Sequence, residues 1–124
     1  MFPPPLHELE SEVMEELWDR GGGTVREVLD ALNALRSPRR AYTTILTVMQ
    51  RLHGKQLLRR EWHRRRHVYV PALSREEYAQ ARAEAEVGAL VEEYGDVALA
   101  HFARAMSRLD PKRREQIRRL ARDD

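Results

Sequence analysis

The chain has 124 residues, enough for one domain or for a small domain with an appendage, and 42% of them are apolar, which is enough to form a core. It contains no cysteine, which excludes disulfides and metal sites built on thiolates. It also lacks a signal-peptide pattern and an apolar run of the roughly 18 residues that span a bilayer, so we expect a cytoplasmic protein.

The charge is unevenly distributed along the chain. The formal net charge is only +2, yet residues 36–67 carry ten Lys and Arg against a single acid, Glu61. Residues 1–35 have a net charge of −6 and residues 68–124 a net charge of −1. A basic block this dense, with periodic apolar residues on both sides, is typical of a surface that binds nucleic acid. The alternative is that this basic block is an ordinary charged surface exposed to solvent.

Two amphipathic helices are predicted at the amino end. Apolar residues recur at helical spacing from Leu6 to Trp18, with glutamates on the opposite side. The three glycines at 21–23 end this helix. Thr24, followed three residues later by Glu27, is a capping box that opens the second helix.

The chain breaks again at Arg36–Pro38, and a third helix is predicted from about Arg40 to Gly54. Its apolar residues project to one face. The opposite face carries uncharged hydrogen-bonding side chains edged by arginines, where an ordinary solvated helix favours Glu and Lys. Such groups suit the base edges of DNA, and the cations suit the phosphates beside them. The residues predicted to bind DNA here are Arg40, Thr43, Thr44, Thr47, Gln50 and Arg51.

The periodicity then changes to that of two short strands. Leu57–Trp62 and His67–Val70 are rich in β-forming residues and are separated by residues 63–66, which predicts a hairpin with a basic tip. Pro71 closes the second strand. We expect the arginines of the tip to contact DNA phosphates. These are Arg64, Arg65 and Arg66.

Three more helices are predicted after the hairpin. Ser74 with Glu77 is another capping box, and it opens a long helix. A further helix is predicted over residues 96–108. Asp110 as the N-cap and Pro111 at the first helical position open the last one.

This order of elements predicts a mainly α protein with a small β-hairpin. Three helices followed by a hairpin match the winged helix-turn-helix plan, in which the third helix enters the major groove and the hairpin lies along the DNA backbone. We therefore predict a winged-helix DNA-binding domain over residues 1–73 and a helical dimerisation region over residues 74–124.

The carboxy-terminal region is predicted to pair with a second copy of the chain. About fifty residues of charged helix cannot bury enough apolar area alone to offset chain entropy. Packing onto the winged helix is the alternative, but that core is already complete without it. Two-fold pairing predicts a palindromic operator. The apolar residues predicted to dimerise are Leu99, Phe102, Met106, Leu109, Ile117 and Leu120.

Several segments resemble a known family. Leu17–Trp18, Thr24–Val28, Ala41–Leu52 in the third helix and Tyr69–Glu77 after the wing are similar to the BlaI/MecI/CopY family, the penicillinase-repressor type. The resemblance extends over nearly the whole chain. It implies a homodimeric bacterial transcriptional repressor that binds a short dyad-symmetric operator, often with TACA/TGTA half-sites, in promoters of resistance or copper-homeostasis genes.

The chain departs from the family pattern in two turns. Gln56 occupies a position that usually holds Gly and tends to need a positive φ. Either Gly54 shifts the helix cap or Gln56 is strained. The wing tip also has arginines where Gly is often found.

The resemblance further implies a route of regulation. Relatives that sense β-lactams are inactivated by cleavage of an Asn-Phe bond through a membrane sensor and protease pathway, and the matching dipeptide here is His101–Phe102. The copper-responsive branch depends on a cysteine-rich tail, which a chain without cysteine does not provide. The sequence leaves open whether proteolysis, a ligand or a metal releases the DNA.

Other conspicuous residues are predicted to have structural roles. Trp18 and Trp62 are expected to pack in the core or at the base of the wing, and Tyr42 to project towards the core. His63 and His67 lack a nearby carboxylate or thiol, so no metal site is expected at the wing. No cofactor and no catalytic set are indicated, and an enzyme is not expected.

Two other functions remain open. A winged helix used as a protein-interaction module would expose apolar residues on the third helix. A non-specific architectural DNA-binding protein would need only the basic block, and the polar face of the third helix argues against it.

Overall fold

The computed structural model describes residues 2–35 and 39–122, and within these residues it contains six helices and one two-stranded sheet. The order of elements confirms the predicted mainly α class with a small hairpin. The predicted break at Arg36–Pro38 lies outside the described residues. The elements in chain order are α1 (Glu8–Arg20), α2 (Val25–Leu35), α3 (Tyr42–Gly54), β1 (Leu58–His63), β2 (Arg66–Pro71), α4 (Arg75–Tyr94), α5 (Asp96–Ser107) and α6 (Pro111–Arg122).

The chain separates into two compact units, Met1–Ala83 and Glu84–Asp124. The first unit contains α1, α2, α3, both strands and the first part of α4. The second contains the rest of α4 together with α5 and α6. The boundary lies within α4, so this helix is shared by the two units.

One hydrophobic core holds the first unit together. Each of α1, α2 and α3 buries one side, and the hairpin covers the remaining edge. A fully buried side chain of this kind contributes about 1.5–3 kcal/mol relative to an exposed one, so the apolar side of each helix fixes its orientation. The core residues are Val13, Met14, Leu17, Val25, Val28, Leu29, Leu32, Ile45, Val48, Met49, Leu52, Leu57, Leu58 and Tyr69.

Side chains cap three of the predicted helix starts. Thr24 Oγ1 accepts a hydrogen bond from the backbone N–H of Glu27 at 3.1 Å, and Glu27 Oε1 accepts one from the N–H of Thr24 at 2.9 Å. Ser74 and Glu77 form the same reciprocal pair before α4. Asp110 Oδ1 accepts a hydrogen bond from the backbone N–H three residues further on. These contacts confirm the predicted caps.

The two strands are antiparallel, and each extends further towards the tip than predicted. Trp62 pairs with His67, and the pairing continues to the next residue on each strand, so the turn has two residues instead of the predicted four. These two residues, Arg64 and Arg65, have φ of 50° and 64°. Positive φ at both central residues matches the twist of the strands, but such turns are usually built from Asn and Gly.

A backbone bridge attaches the hairpin to the loop between α1 and α2. The N–H of Gly23 donates to the carbonyl oxygen of Tyr69 at 2.9 Å, and the N–H of Tyr69 donates to that of Gly23 at 2.8 Å. Gly22, with φ of 153°, passes close to the same strand. A Cβ at Gly22 would lie 3.2 Å from the carbonyl oxygen of Tyr69 and 3.2 Å from Cγ2 of Val70. The approach therefore requires glycine.

The start of α4 is fixed to α1 and to the amino-terminal segment within the first unit. The indole N–H of Trp18 donates to the carbonyl oxygen of Leu73 at 2.9 Å, and its ring lies 5.6 Å from that of Tyr78. The hydroxyl of Tyr78 donates to the carbonyl oxygen of Pro4 at 2.7 Å. Arg75 forms ion pairs of 2.7 and 2.8 Å with two carboxylates of α1. The predicted packing role of Trp18 is confirmed.

In the second unit, the turn between α5 and α6 is held by one arginine. The guanidinium of Arg114 donates to three carbonyl oxygens at the end of α5 and in the turn, at 2.8–3.1 Å. Of the described residues in this unit, Ala98 is the buried apolar one, at 9% exposure. The larger apolar side chains of these helices are exposed or half-buried.

We expect Gly22→Ala to lower the free energy of unfolding by about 1–3 kcal/mol, because the added methyl group would meet β2 and because alanine is strained at this φ. Gly54→Ala is a matched control, since nothing lies within 4 Å of a Cβ placed there. It should leave stability unchanged or raise it, because alanine favours a helix. Denaturant unfolding followed by circular dichroism measures both. Equal effects of the two substitutions would contradict the close approach at Gly22.

Candidate nucleic-acid interface

The residues that the sequence predicts for DNA contact on α3 lie together on its outward side. Thr43, Thr44, Thr47, Gln50 and Arg51 are all exposed, because the residues between them form the buried side of the same helix. We call these five residues the polar face of α3. The helix contains no acidic residue, so the face offers hydroxyl and amide groups beside a cation without a competing carboxylate of its own.

Arg40 lies just before α3 and is held there by Asn33 of α2. The backbone N–H of Arg40 donates to Asn33 Oδ1 at 2.7 Å, and Asn33 Nδ2 donates to the carbonyl oxygen of Arg40 at 3.0 Å. The guanidinium of Arg40 is 4.0 Å from a carboxylate oxygen of Glu12. The segment that leads into α3 is thus fixed by a side chain of the preceding helix.

A groove of about 600 Å³ borders the polar face on the side of α1. We call it the α1-side groove. Side chains of both signs contribute to it, together with three of the threonines of α3. Its lining residues are His7, Leu9, Glu10, Thr43, Thr44, Thr47, Val48, Arg51 and Lys55.

Inside this groove, an ion pair between a buried carboxylate and a partly exposed lysine joins the start of α1 to the end of α3. Glu10 is only 5% exposed, and its Oε2 accepts a hydrogen bond from Lys55 Nζ at 2.7 Å while its Oε1 accepts one from the N–H of His7 at 3.0 Å. Burial by itself raises the pKa of the Glu10 carboxyl, but the two hydrogen bonds and the charge of Lys55 together hold that pKa below its usual 4.5.

A second groove, of about 320 Å³, lies between α3 and the hairpin. We call it the wing-side groove. The guanidinium of Arg26 stands 5.0 Å from the centre of the Tyr42 ring, and the Trp62 ring meets that of His67 edge-on at 4.9 Å. The lining residues are Thr24, Val25, Arg26, Tyr42, Leu46, Trp62, Arg66, His67 and Tyr69.

Two aromatic residues of this groove are placed differently from what the sequence predicts. Trp62 is 66% exposed, so the prediction that it packs in the core or at the wing base is wrong. Tyr42 was predicted to project towards the core, but it is 41% exposed and lies outside the core cluster. Tyr42 is the first residue of α3, and Trp62 is the last residue but one of β1. Both positions lie beyond the end of the core.

The arginines of the wing tip are on the surface, as are the neighbouring residues. Arg64, Arg65 and Arg66 are all exposed, and none of them lies in the hydrophobic core of the first unit.

Gln56, in the turn after α3, has a φ of 65°. Of the two alternatives for that turn, the strained Gln56 is confirmed, because α3 continues through Gly54 and ends at Lys55 as its C-cap.

The residues predicted to dimerise and the predicted cleavage site lie on the helices of the second unit. Leu99 and Phe102 of α5 are 49% and 37% exposed, and Leu120 of α6 is 70% exposed. Met106, Leu109 and Ile117 are half-buried. His101 and Phe102 are adjacent, exposed residues in the middle of α5.

The described part of the chain offers neither a clustered metal-ligand set nor a membrane span. Across residues 2–35 and 39–122, no three His, Cys, Asp or Glu side chains are close enough to hold a metal ion. Over the same residues, no helix combines the length and the apolar character that a membrane span requires.

Three residues that complete the site were not identified from the sequence. Arg26 covers Tyr42, Asn33 holds Arg40, and Glu10 holds Lys55. Glu10 is one of several glutamates in α1, and nothing in its local pattern distinguishes it from the exposed ones. A polar residue inside the otherwise apolar end of α2 was the available signal for Asn33.

Three helices, a hairpin bridged to the loop between α1 and α2, and a third helix with an outward polar face define a winged-helix protein. The family model of the penicillinase repressor matches residues 6–123, and the chain belongs to this family. The match confirms the resemblance to BlaI/MecI-type proteins. The family consists of transcriptional repressors, not enzymes, as expected from the sequence.

Individual relatives agree with this membership. The chain is 45% identical over 73 residues to the transcriptional regulator BlaI of two Mycobacterium tuberculosis strains, a match of 58% of this chain and 51% of those proteins. It therefore spans about half the length of these curated relatives. The solution structure of the Bacillus licheniformis BlaI monomeric form in complex with the blaP half-operator is similar with a TM-score of 0.52 and 28% identity, covering 61% of this chain and 90% of that one.

The Glu10–Lys55 pair predicts a specific pH dependence of stability. Because the folded pKa of Glu10 is lowered, its contribution is complete above pH 4.5 and is lost as the pH falls through the folded value. We expect Glu10→Gln to lower the free energy of unfolding by about 1–3 kcal/mol near neutral pH. The variant should also make this free energy less dependent on pH below pH 4.5.

Denaturant unfolding at a series of pH values measures this effect. Glu8→Gln is the control, because Glu8 is exposed in the same turn of α1 and should keep the wild-type pH dependence. If Glu10→Gln and the wild type lost stability in parallel as the pH fell, the pair would not stabilise the fold in the way described.

Proposed function

We propose that the chain is a homodimeric, sequence-specific transcriptional repressor that binds a dyad-symmetric DNA operator. The observation that carries the proposal is the polar face of α3, which has hydrogen-bonding side chains at its centre, arginine at its edge and a groove on either side. Membership of the penicillinase repressor family supports it. So does the similarity to a winged helix bound to a half-operator.

The roles of the side chains follow from their chemistry. Threonine hydroxyls and the amide of Gln50 can donate to and accept from base edges in the major groove, whereas guanidinium groups pair with phosphates. We assign base reading to Thr43, Thr44, Thr47 and Gln50. We assign phosphate anchoring to Arg40 and Arg51 beside α3 and to Arg64, Arg65 and Arg66 on the wing.

The exposed apolar side chains of the second unit support the dimer. In a single copy of α5 and α6, between about a third and two thirds of the surface of Leu99, Phe102 and Leu120 is exposed to water, and a second copy would cover it. We therefore retain the division into a DNA-binding domain over residues 1–73 and a dimerisation region over residues 74–124, with Met106, Leu109 and Ile117 completing the interface. A two-fold dimer would present two α3 helices to half-sites about one helical turn apart.

Regulation by cleavage of the His101–Phe102 bond, through a membrane sensor and protease, stays a prediction. Both side chains are exposed, but the bond lies inside α5, between Asp96 and Ser107. A protease needs an extended substrate, so α5 would have to open locally before cleavage.

A protein-interaction module is the competing function. Such a module would present a continuous apolar patch from α3. Tyr42 at the start of the helix is exposed, but Leu46 is only half-exposed and the five residues of the polar face are hydrophilic. A non-specific architectural protein would not need this arrangement, because phosphate contacts alone suffice for it.

Selection of bound duplexes from randomised DNA at about 150 mM salt tests the proposal. We expect a two-fold symmetric motif, and sedimentation of the protein as a dimer. Binding that fades with salt and yields no motif would contradict sequence-specific recognition. A motif without symmetry, bound by a monomer, would contradict the dimer alone.

We expect Thr47→Ala to weaken binding to the selected operator by roughly 1–3 kcal/mol and to leave binding to random DNA nearly unchanged, because a base contact matters only at the matching base. Titration of both duplexes at one salt concentration measures the difference. Thr47 is exposed, so the variant should fold normally. An equal loss on both duplexes would remove Thr47 from the base-reading set.

We expect Arg65→Gly to weaken binding to all sequences alike and to reduce the salt slope by about 1 for each phosphate that the variant no longer neutralises. Glycine suits the φ of 64° at this position, so the hairpin should keep or gain stability and the effect can be attributed to the missing charge. Arg119→Ala, which removes an exposed charge from α6, is the matched control. An unchanged salt slope in Arg65→Gly would exclude the wing tip from the interface.

A further inference from the structure

The wing-side groove contains two exposed aromatic rings to which neither base reading nor phosphate anchoring assigns a role. Trp62 is 66% exposed, and its only ring contact among the described residues is the edge-on one with His67 at 4.9 Å. Tyr42 is 41% exposed and faces the same groove from α3. An indole left in water forgoes the apolar burial that normally stabilises a tryptophan, so its position is explained better by a partner than by folding.

We propose that Trp62 and Tyr42 hold the sugar-phosphate backbone of one DNA strand in the wing-side groove. In this arrangement the ring of Trp62 packs against a deoxyribose, and the guanidinium groups of Arg26 and Arg66 pair with the phosphates on either side of it. The inference rests on the proposed function, since it names a further contact with the same operator.

The charge of the groove favours a phosphate strand. Arg26 and Arg66 contribute cations, and none of the nine described residues that line the groove is acidic. Arg26 is held over the Tyr42 ring at 5.0 Å by an interaction that leaves its charge unneutralised. Its guanidinium is thus positioned before DNA arrives and is not committed to a carboxylate in this groove.

The position of the groove favours DNA over another ligand. A helix that lies in the major groove has one phosphate backbone on each side. Tyr42 and Leu46 face the wing-side groove, while the neighbouring residues Thr43 and Thr47 belong to the polar face. Any strand that flanks α3 on the side of the hairpin would therefore pass over these rings.

The chemistry of a ring against a sugar sets this contact apart from the others. It involves neither a base edge nor a charge, so its removal should weaken binding independently of sequence and should leave the salt slope unchanged. Packing of the ring on the sugar buries apolar surface of both, so Trp62→Ala should weaken binding about tenfold. Trp62→Phe keeps a flat apolar ring and should retain most of the affinity.

The experiment measures binding of the full chain to the selected operator and to random duplex DNA at several salt concentrations. The variants are Trp62→Ala, Trp62→Phe and the control His63→Ala, which removes an exposed ring one residue further along β1 that does not line the groove. We expect about a tenfold loss of affinity on both duplexes for Trp62→Ala, with the wild-type salt slope, and little change for the other two.

Tryptophan emission provides a second, independent measurement. The chain has two tryptophans. Trp18 donates to the carbonyl oxygen of Leu73 and does not line the wing-side groove, so a DNA-dependent change in emission should disappear in Trp62→Phe. This readout does not depend on the stability of the alanine variant.

The outcomes separate this inference from the proposed function. If the wild type binds no duplex DNA, the proposed function fails and the contact fails with it. If the wild type binds but Trp62→Ala stays within about twofold of it, or the emission change persists in Trp62→Phe, only the Trp62 contact is overturned. A loss of affinity confined to the operator would indicate base stacking instead of a sugar contact and would also overturn it.

Discussion

The backbone bridge between Gly23 and Tyr69 is the constraint on which the position of the wing depends. A two-stranded hairpin alone is marginally stable in water. This one is also attached to the loop before α2, through backbone hydrogen bonds of 2.8 and 2.9 Å. The Tyr69 side chain is only 1% exposed, so the same residue also anchors the hairpin in the core. Because α3 packs on that core as well, helix and hairpin are held in one rigid arrangement.

The parts of the fold that depend on local chemistry could be predicted from the sequence. The caps at Thr24, Ser74 and Asp110 involve residues no more than three apart, and the spacing of apolar residues fixes which side of α3 is buried. The hairpin was predicted, but its turn was not, because two arginines in the left-handed region break the usual rule for such turns.

The parts of the candidate site that depend on distant contacts could not be predicted. Glu10 and Lys55 are 45 residues apart, and no periodicity links them. A helical projection gives the direction of the Tyr42 side chain, and the alternation along a strand gives that of Trp62. Neither pattern shows where the core ends. Sequence patterns therefore identified the centre of the polar face, whereas its two flanking grooves emerged only from the packing of α1 and the hairpin.

The start of α3 illustrates a compromise between stability and function. Its N-cap is Ala41, which provides no side-chain hydrogen bond, and its first turn contains no acid. The starts of α2 and α4, which lie in the same unit, are capped by reciprocal pairs. A Ser or Asp at this position would be expected to stabilise the helix by about 1 kcal/mol. It would also occupy the backbone N–H groups and weaken the positive end of the helix dipole. The chain thus keeps an under-stabilised helix end beside the surface that we assign to an anionic partner.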